Sequence, residues 1–428
     1  MRIDRLPRHI WILSIASLFA DISAEMVHAV LPIFVISDAL HGGLKGGAIT
    51  IGAIEGIAAA TLAISRVYSG ALSDYLGMQK GLAVIGYGIS ALMRPLLAIS
   101  FDPFFAIFSQ FADGFGNGIS VAPRQALMAD VTTEQMLTSV YRLRRSMLIA
   151  GACIGSTIAG SILLFSGNDY RLVFSSAVIP SCMALSLLAI AIDPIRKPRK
   201  LLMIPTEMTG LLGGREESYI RTPEKFSVAK AVRSAREYNP IDREDLPYLG
   251  KKYWVLLVVA IIFNLGNSSD AFLLLRLVEV GVSPPLMPLG LIVMSLVYAL
   301  VSYPIASIVD CTIKVRMLLG GFLLHAIIYF GMAVASTDSQ LWFLFALYGL
   351  HLAMTQGLIM SLIDRSVPAK TRGTAFSIFN IAIGVTLLLA NLVAGFCWQG
   401  VGSGFTFAIG AFFACIATIV LLVGSDEE

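Results

Sequence analysis

The segment "LFADISAEMVHAVLPIF", Leu18 to Phe34, sits in a long apolar run and yet carries Asp21, Glu25 and His28. A charged side chain at the centre of a bilayer costs roughly 2.5–3.5 kcal/mol on insertion scales, so two carboxylates turned to lipid would be poorly tolerated. The three positions are spaced i, i+4, i+7, which places them on one face of a helix. The segment therefore reads as a membrane span with one wet face.

The rest of the 428-residue chain supports that reading. It is 57% hydrophobic and 14% charged, against roughly 25% charged for a soluble protein. Apolar runs near the length of a membrane span recur throughout, and the ten-residue alternation of a β-barrel is absent. Twelve spans are predicted, at 10–37, 46–68, 81–101, 103–125, 140–166, 171–192, 253–281, 286–309, 315–336, 340–363, 373–397 and 402–424. The expected fold class is an all-α polytopic membrane protein with two pseudo-symmetric six-helix bundles, 1–192 and 253–428. Between them runs a polar stretch, 193–252, in which "PEKFSVAKAVRSAREY" fits either an amphipathic surface helix or a solvated linker. The basic start, "MRIDRLPRHI", leads into span 1 with no small-residue cleavage site, so it is expected to be retained. The five cysteines form no CxxC pair and read as packing residues, with no metal site expected.

Orientation follows from the basic residues. With both termini in the cytoplasm, 25 of the 31 Lys/Arg fall on the cytoplasmic side, Arg142, Arg144 and Arg145 among them. Lys45 and Arg171 fall outside, and Arg66, Arg94, Arg124 and Arg276 lie within spans. The expected location is the cytoplasmic (inner) membrane.

The halves echo each other. "SGALSDYLGMQKGL" follows span 2 and "YPIASIVDCTIKVRML" follows span 8, with Asp74 and Asp310 in matching places. Asp130 after span 4 matches Asp364 after span 10. Duplicated six-helix halves are common among secondary transporters.

The loop after span 2 carries Gly70, Leu72, Ser73, Asp74, Gly77 and Lys80, and so resembles the signature G-x-L-S-D-x-x-G of the major facilitator superfamily, with most of its basic tail missing. The resemblance extends along the whole chain. Gln110 stands where the span 4 signature carries arginine, ahead of Gly114, Gly116 and Gly118. "GACIGSTIAG" resembles the span 5 signature of drug/proton antiporters, with Ser156 in place of its proline. A GxxxG pair also serves close helix packing whatever the function. The resemblance implies a central cavity lined by helices 1, 4, 7 and 10, and gating of the inner face by acids such as Asp74, Asp130, Asp310 and Asp364. Arg124, at the cytoplasmic end of span 4, joins that set as an anchor or as a partner of Asp130.

Those four spans each carry a one-faced polar stripe: Asp21, Glu25 and His28; Gln110, Asp113 and Asn117; Asn264, Asn267 and Asp270; Tyr348, His351 and Thr355. Asp21, Glu25 and Asp270 are the expected proton carriers, because clustering and partial desolvation bring a carboxylate toward neutral titration. His28 and the remaining stripe residues are the expected substrate contacts. Arg276 either attracts an anionic substrate or pairs with Asp270 or Glu279. Glu55, in "GAIEG" on span 2, reads as a bridge to another helix.

No Walker, HExxH or GxSxG motif occurs, so neither ATP drive nor an embedded hydrolase is supported. No cofactor and no nucleic-acid partner are expected. The expectation is a monomeric, proton-coupled secondary transporter working by alternating access on a small polar or zwitterionic molecule, a siderophore-type metal chelate being one candidate. A drug-efflux antiporter and a transporter-like receptor are the alternatives.

Overall fold

The computed structural model describes residues 7–37, 43–76, 78–100, 102–130, 134–191, 241, 243–305, 311–368 and 371–425. The candidate surface helix of the central stretch and Asp310 lie outside the described residues, as do the side chains of Asp74 and Asp130.

The first half comprises α1 (Arg8–Ile36), α2 (Gly43–Leu76), α3 (Gln79–Ala98), α4 (Pro103–Asp130), α5 (Glu134–Ser166) and α6 (Tyr170–Ile190). After a short 3-10 turn, Arg243–Tyr248, come α7 (Lys251–Gly266), α8 (Asp270–Val280), α9 (Pro288–Ile305), α10 (Cys311–Val334), α11 (Asp338–Thr355), α12 (Leu358–Ser366), α13 (Arg372–Gly400) and α14 (Ser403–Ser425). No strand occurs among the described residues. The 29 residues of α1 reach about 43 Å at 1.5 Å per residue, more than a hydrocarbon core of ~30 Å. Among the described residues, eleven segments are long and apolar enough to cross a bilayer. By length α4, with 28 residues, makes a twelfth crossing; Gln110, Asp113, Asn117 and Arg124 dilute its apolar character.

Two crossings differ from the sequence expectation of continuous helices over 253–281 and 340–363. The seventh unwinds at Asn267–Ser269 between α7 and α8. The local chemistry favours a restart there, because the Ser269 hydroxyl caps α8 by accepting from the Ala271 amide. The tenth breaks between α11 and α12, where Gly357 adopts φ +80°, a conformation glycine takes without steric penalty. Broken helices at membrane depth are a recurring device for building polar sites.

The two halves repeat their packing at a fixed offset. Gly86 of α3 lies against Ser120 of α4, and Gly321 of α10 lies against Thr355 of α11, each partner 235 residues later. Gly114 of α4 meets Ala58 of α2, and Gly349 of α11 meets Met294 of α9, 235 and 236 residues on. The halves join along α2 with α13 and along α5 with α9. Gly52 packs against Asn391, Gly395 against Ala48 and Gly160 against Pro285, all toward the end of the bundle where α1 finishes. Small residues let helix backbones touch where burial of apolar surface gives no drive. Large apolar side chains such as Leu164, Phe165, Ile190, Leu300 and Val423 stand exposed on the outside, as a lipid-facing surface requires.

Candidate functional site

A cavity of about 220 Å³ opens inside the first half. From α1 it is lined by Glu25 and His28, and from α2 by Glu55 and Ala58. Met93, Arg94 and Leu97 of α3 and Ser109, Gln110 and Asp113 of α4 complete the wall.

Close packing of α5 holds α1 in register. A Cβ at Gly155 would come 2.9 Å from the Glu25 Cβ, and one at Gly151 would come 2.7 Å from the Asp21 Cβ. The GxxxG pair of span 5 thus seats α5 directly behind the two acids. Asp21 itself does not line the cavity. Arg144 of α5 grips it, with Nη1 2.6 Å from Oδ2 and Nη2 3.2 Å from Oδ1. This is a closed two-point pair, the strong geometry for arginine and carboxylate. Arg145, the next residue, donates to the Tyr298 hydroxyl at 2.7 Å and so links α5 to α9 across the halves. The sequence expectation sorts both arginines to the cytoplasmic side, although span 5 (140–166) includes them; in the structure they lie within α5 and their side chains reach into the bundle.

A second polar chain crosses the interface. His28 Nε2 is 3.9 Å from Glu55 Oε2. The Ser269 hydroxyl, at the break before α8, donates to the same Glu55 oxygen at 2.8 Å. The Ser269 amide donates to Asn391 Oδ1 of α13 at 2.8 Å. Asp270 follows immediately, with the titratable side chains of His28 and Glu55 as neighbours and Tyr348 beside it. Four crossings, 1, 2, 7 and 11, therefore meet at one polar junction on the cavity wall.

The third cluster is looser. Arg94 is only 5% exposed, yet its Nη2 stands 3.8 Å from Asp113 Oδ1. Asn117 Nδ2 donates to Asp113 Oδ2 at 2.9 Å. Arg94 Nη1 and Asp113 Oδ1 are buried without a hydrogen-bond partner among the described residues.

The second half uses its polar residues differently. His351 and Tyr348 are buried at 1% and 2% exposure and pack at tilted angles in a ring cluster with His325, Tyr329 and Phe263. His351 Nδ1 lies 2.8 Å from the Gly321 carbonyl, and the Thr355 hydroxyl donates back to the His351 carbonyl. Tyr348 donates to Asn267 Oδ1 at 3.4 Å, while Asn264 donates to the Ala260 carbonyl one turn back. Arg276 is consumed outside the cavity: it pairs with Glu279 at 2.6 Å and donates to Ser403 and to the Met332 and Ala335 carbonyls. Of the residues expected from sequence, then, Glu25, His28, Gln110 and Asp113 line the cavity. Asp270 and Asn267 sit at the adjoining break. Asn264, Tyr348, His351, Thr355 and Arg276 are engaged within the second half. Of the expected gating residues, Arg124 donates to the Tyr87 hydroxyl and lies over its ring, and Asp364 pairs with Arg372 at 3.1 Å.

Sequence reasoning passed over Arg94, Arg144, Ser269 and Asn391 as site residues. For Arg94 a signal existed, because an ionisable residue inside a span is a functional candidate by default. For Ser269 the signal was its place in "NSSD", a helix-restart pattern.

Twelve helical crossings among the described residues, in two repeated halves and with the seventh broken beside a polar cavity, define a secondary-transporter architecture. The chain belongs to the Major Facilitator Superfamily, whose family model matches residues 13–280 and 256–428. It is 24% identical, over 97% of this chain and 95% of the relative, to an uncharacterised MFS-type transporter of Methanocaldococcus jannaschii. Among solved structures it resembles the nucleoside transporter NupG, at a TM-score of 0.72 and 13% identity over 97% of this chain and 99% of that one. It also resembles a POT family transporter in complex with 5-aminolevulinic acid, at 0.71 and 14% over 98% and 96%. The xylose transporter XylE from E. coli, in a partially occluded inward-open conformation, matches at 0.68 and 14% over 97% and 96%. The protein is accordingly a multi-pass membrane transporter.

Proposed function

We propose that this chain is a proton-coupled secondary transporter that carries a small polar or zwitterionic molecule across the cytoplasmic membrane by alternating access. The observation that carries the reading is the chain His28–Glu55–Ser269, which ties the two halves together on the wall of the cavity that also holds Glu25. A proton delivered to Glu55 removes its attraction for His28 and weakens the tie to Ser269; a proton on Glu25 or Asp270 relieves the crowding of acids around them. Protonation thereby biases the contact between halves, which is the coupling that a proton-driven cycle needs. Asp21, held by Arg144 at two points, fixes the orientation of α1.

The bundles 1–192 and 253–428 are the two rocking units, and 193–252 joins them on the cytoplasmic side. The basic-residue distribution supports placing both termini there, and the transporter is taken to work as a monomer. A cavity of about 220 Å³ lies below the roughly 300–1,000 Å³ of sites for drug-sized ligands, so its size favours an amino-acid-sized solute over an amphiphilic drug or a bulky chelate.

The test is solute uptake by purified protein in proteoliposomes, with and without an imposed pH gradient. The expected result is accumulation of a small polar solute that follows the gradient and collapses with a protonophore. Uptake indifferent to the gradient defeats the coupling, and saturable binding without flux points to a receptor.

A further inference from the structure

Among the described residues Arg94 is the one cavity-lining guanidinium, and its surroundings satisfy it only in part. Its nearest acid, Asp113, is 3.8 Å away, beyond hydrogen-bond distance. Nη1 on one side of the gap and Oδ1 on the other have no partner among the described residues. The same half contains an arginine–carboxylate pair that is closed, Arg144 with Asp21, at 2.6 and 3.2 Å. Helix packing in this bundle is therefore able to shut such a pair, and at Arg94 it does not. Buried polar atoms left unpaired are destabilising and are rare in native proteins. Where such atoms belong to side chains that line a cavity, as Arg94 and Asp113 do, a bound molecule can supply the missing partner.

We infer that the open Arg94–Asp113 pair on the cavity wall is the anchor for a carboxylate of the transported molecule. This deepens the proposed function and rests on it for the claim that the bound molecule is carried. The planar fork of guanidinium matches a carboxylate at two points. The other charged groups of the cavity set the rest of the ligand. Glu25 and Glu55 line the same cavity as Arg94, with His28 3.9 Å from Glu55. Two carboxylates there repel a dianionic phosphate and attract an ammonium group. The substrate class is a small molecule bearing one carboxylate and one amine.

The test is thermal shift of the full-length protein in detergent with a defined panel: glycine, L-alanine, L-serine, L-glutamate, β-alanine and 4-aminobutyrate, the amide of each, and inorganic phosphate. At least one amino acid is expected to raise the unfolding temperature saturably, with its amide and phosphate giving no shift. In the double variant R94Q/D113N, which removes both charges together and so strands neither, that amino acid is expected to bind roughly tenfold more weakly or not at all. Arg94→Lys keeps the charge without the fork and is expected to fall between, and it carries the test if the double variant does not purify as a monodisperse helical protein. Three results overturn the anchor: no carboxylate in the panel binds, an amide binds as well as its acid, or the variants bind like the parent. Flux separates this from the broader reading. An amino acid that binds through Arg94 but is never carried defeats the transporter role and leaves the anchor. Saturable uptake confined to solutes without a carboxylate defeats the anchor and leaves the transporter.

Discussion

The two halves share a scaffold and differ in what they hang on it. Counting 235 residues on from Arg94 and Asp113 leads to Tyr329 and Tyr348, on the same pair of helices of the second half. In the first half these positions carry a charged pair beside an open cavity. In the second they carry two phenols packed with His325 and His351 in a closed aromatic cluster, in which Phe263 stacks on Phe322 at 4.2 Å. The glycine contacts that set helix spacing are conserved between halves; the chemistry is not. Geometry is thus the inherited part of the duplication, and ligand chemistry is a local addition to one side. The second half then serves as a counter-surface whose polar tie to the cavity wall is made at Ser269, through Glu55.

The largest expected effect sharpens that asymmetry. Glu25→Gln removes a cavity carboxylate while preserving shape, and is expected to abolish gradient-driven flux while exchange of the same solute between the two faces persists. Flux in proteoliposomes checks it; an unchanged pH dependence contradicts the role given to Glu25.

Next comes the closed pair. Arg144→Gln leaves Asp21 in place without its partner, a change that costs about 3–5 kcal/mol where such a pair is buried. At 18% and 15% side-chain exposure, some of that is recovered by solvent, so about 2–3 kcal/mol is expected in equilibrium unfolding, with rescue in the double variant R144Q/D21N. Loss without rescue places the effect elsewhere than in the pair.

A smaller effect is expected at the junction between halves. Ser269→Ala removes the hydrogen bond to Glu55, worth about 0.6 kcal/mol for polar contacts within membranes. It is expected to shift the balance between the two access states, read as altered accessibility of single cysteines on either face, more than it shifts the unfolding temperature.

The smallest effect breaks the comparison from the other side. His325 is 0% exposed, and both its ring nitrogens lack a hydrogen-bond partner among the described residues. Replacing unpaired buried polar atoms by an apolar ring of similar shape is close to neutral or stabilising. His325→Phe is therefore expected to leave transport unchanged and unfolding within about 1 kcal/mol of the parent. A large loss of transport assigns chemistry to the aromatic half and ends the division drawn here.

Much of the architecture was legible because hydropathy and helical period are local signals. Twelve apolar runs and matched acids after paired spans need no knowledge of tertiary contacts. The stripe of α1 was legible for the same reason, and Glu25 and His28 do reach the cavity. The stripe of crossing 10 shows the limit. Tyr348 and His351 share a face, but periodicity does not say whether that face looks onto water or onto a neighbouring helix, and here α10 covers it. Arg94 with Asp113 was hidden because partners on different helices leave no spacing to read. The breaks at Asn267–Ser269 and at Gly357 escaped because an apolar average over a whole span smooths across three residues.

The glycine seam between α2 and α13 has a mechanical consequence. Gly52 and Gly395 present bare main chain to the opposite helix, so at these two points no interlocked side chains must disengage when the surfaces part. Such a contact behaves as a plain bearing. Its friction is low, its resting position is weakly held, and the few polar ties beside it decide where the swing stops.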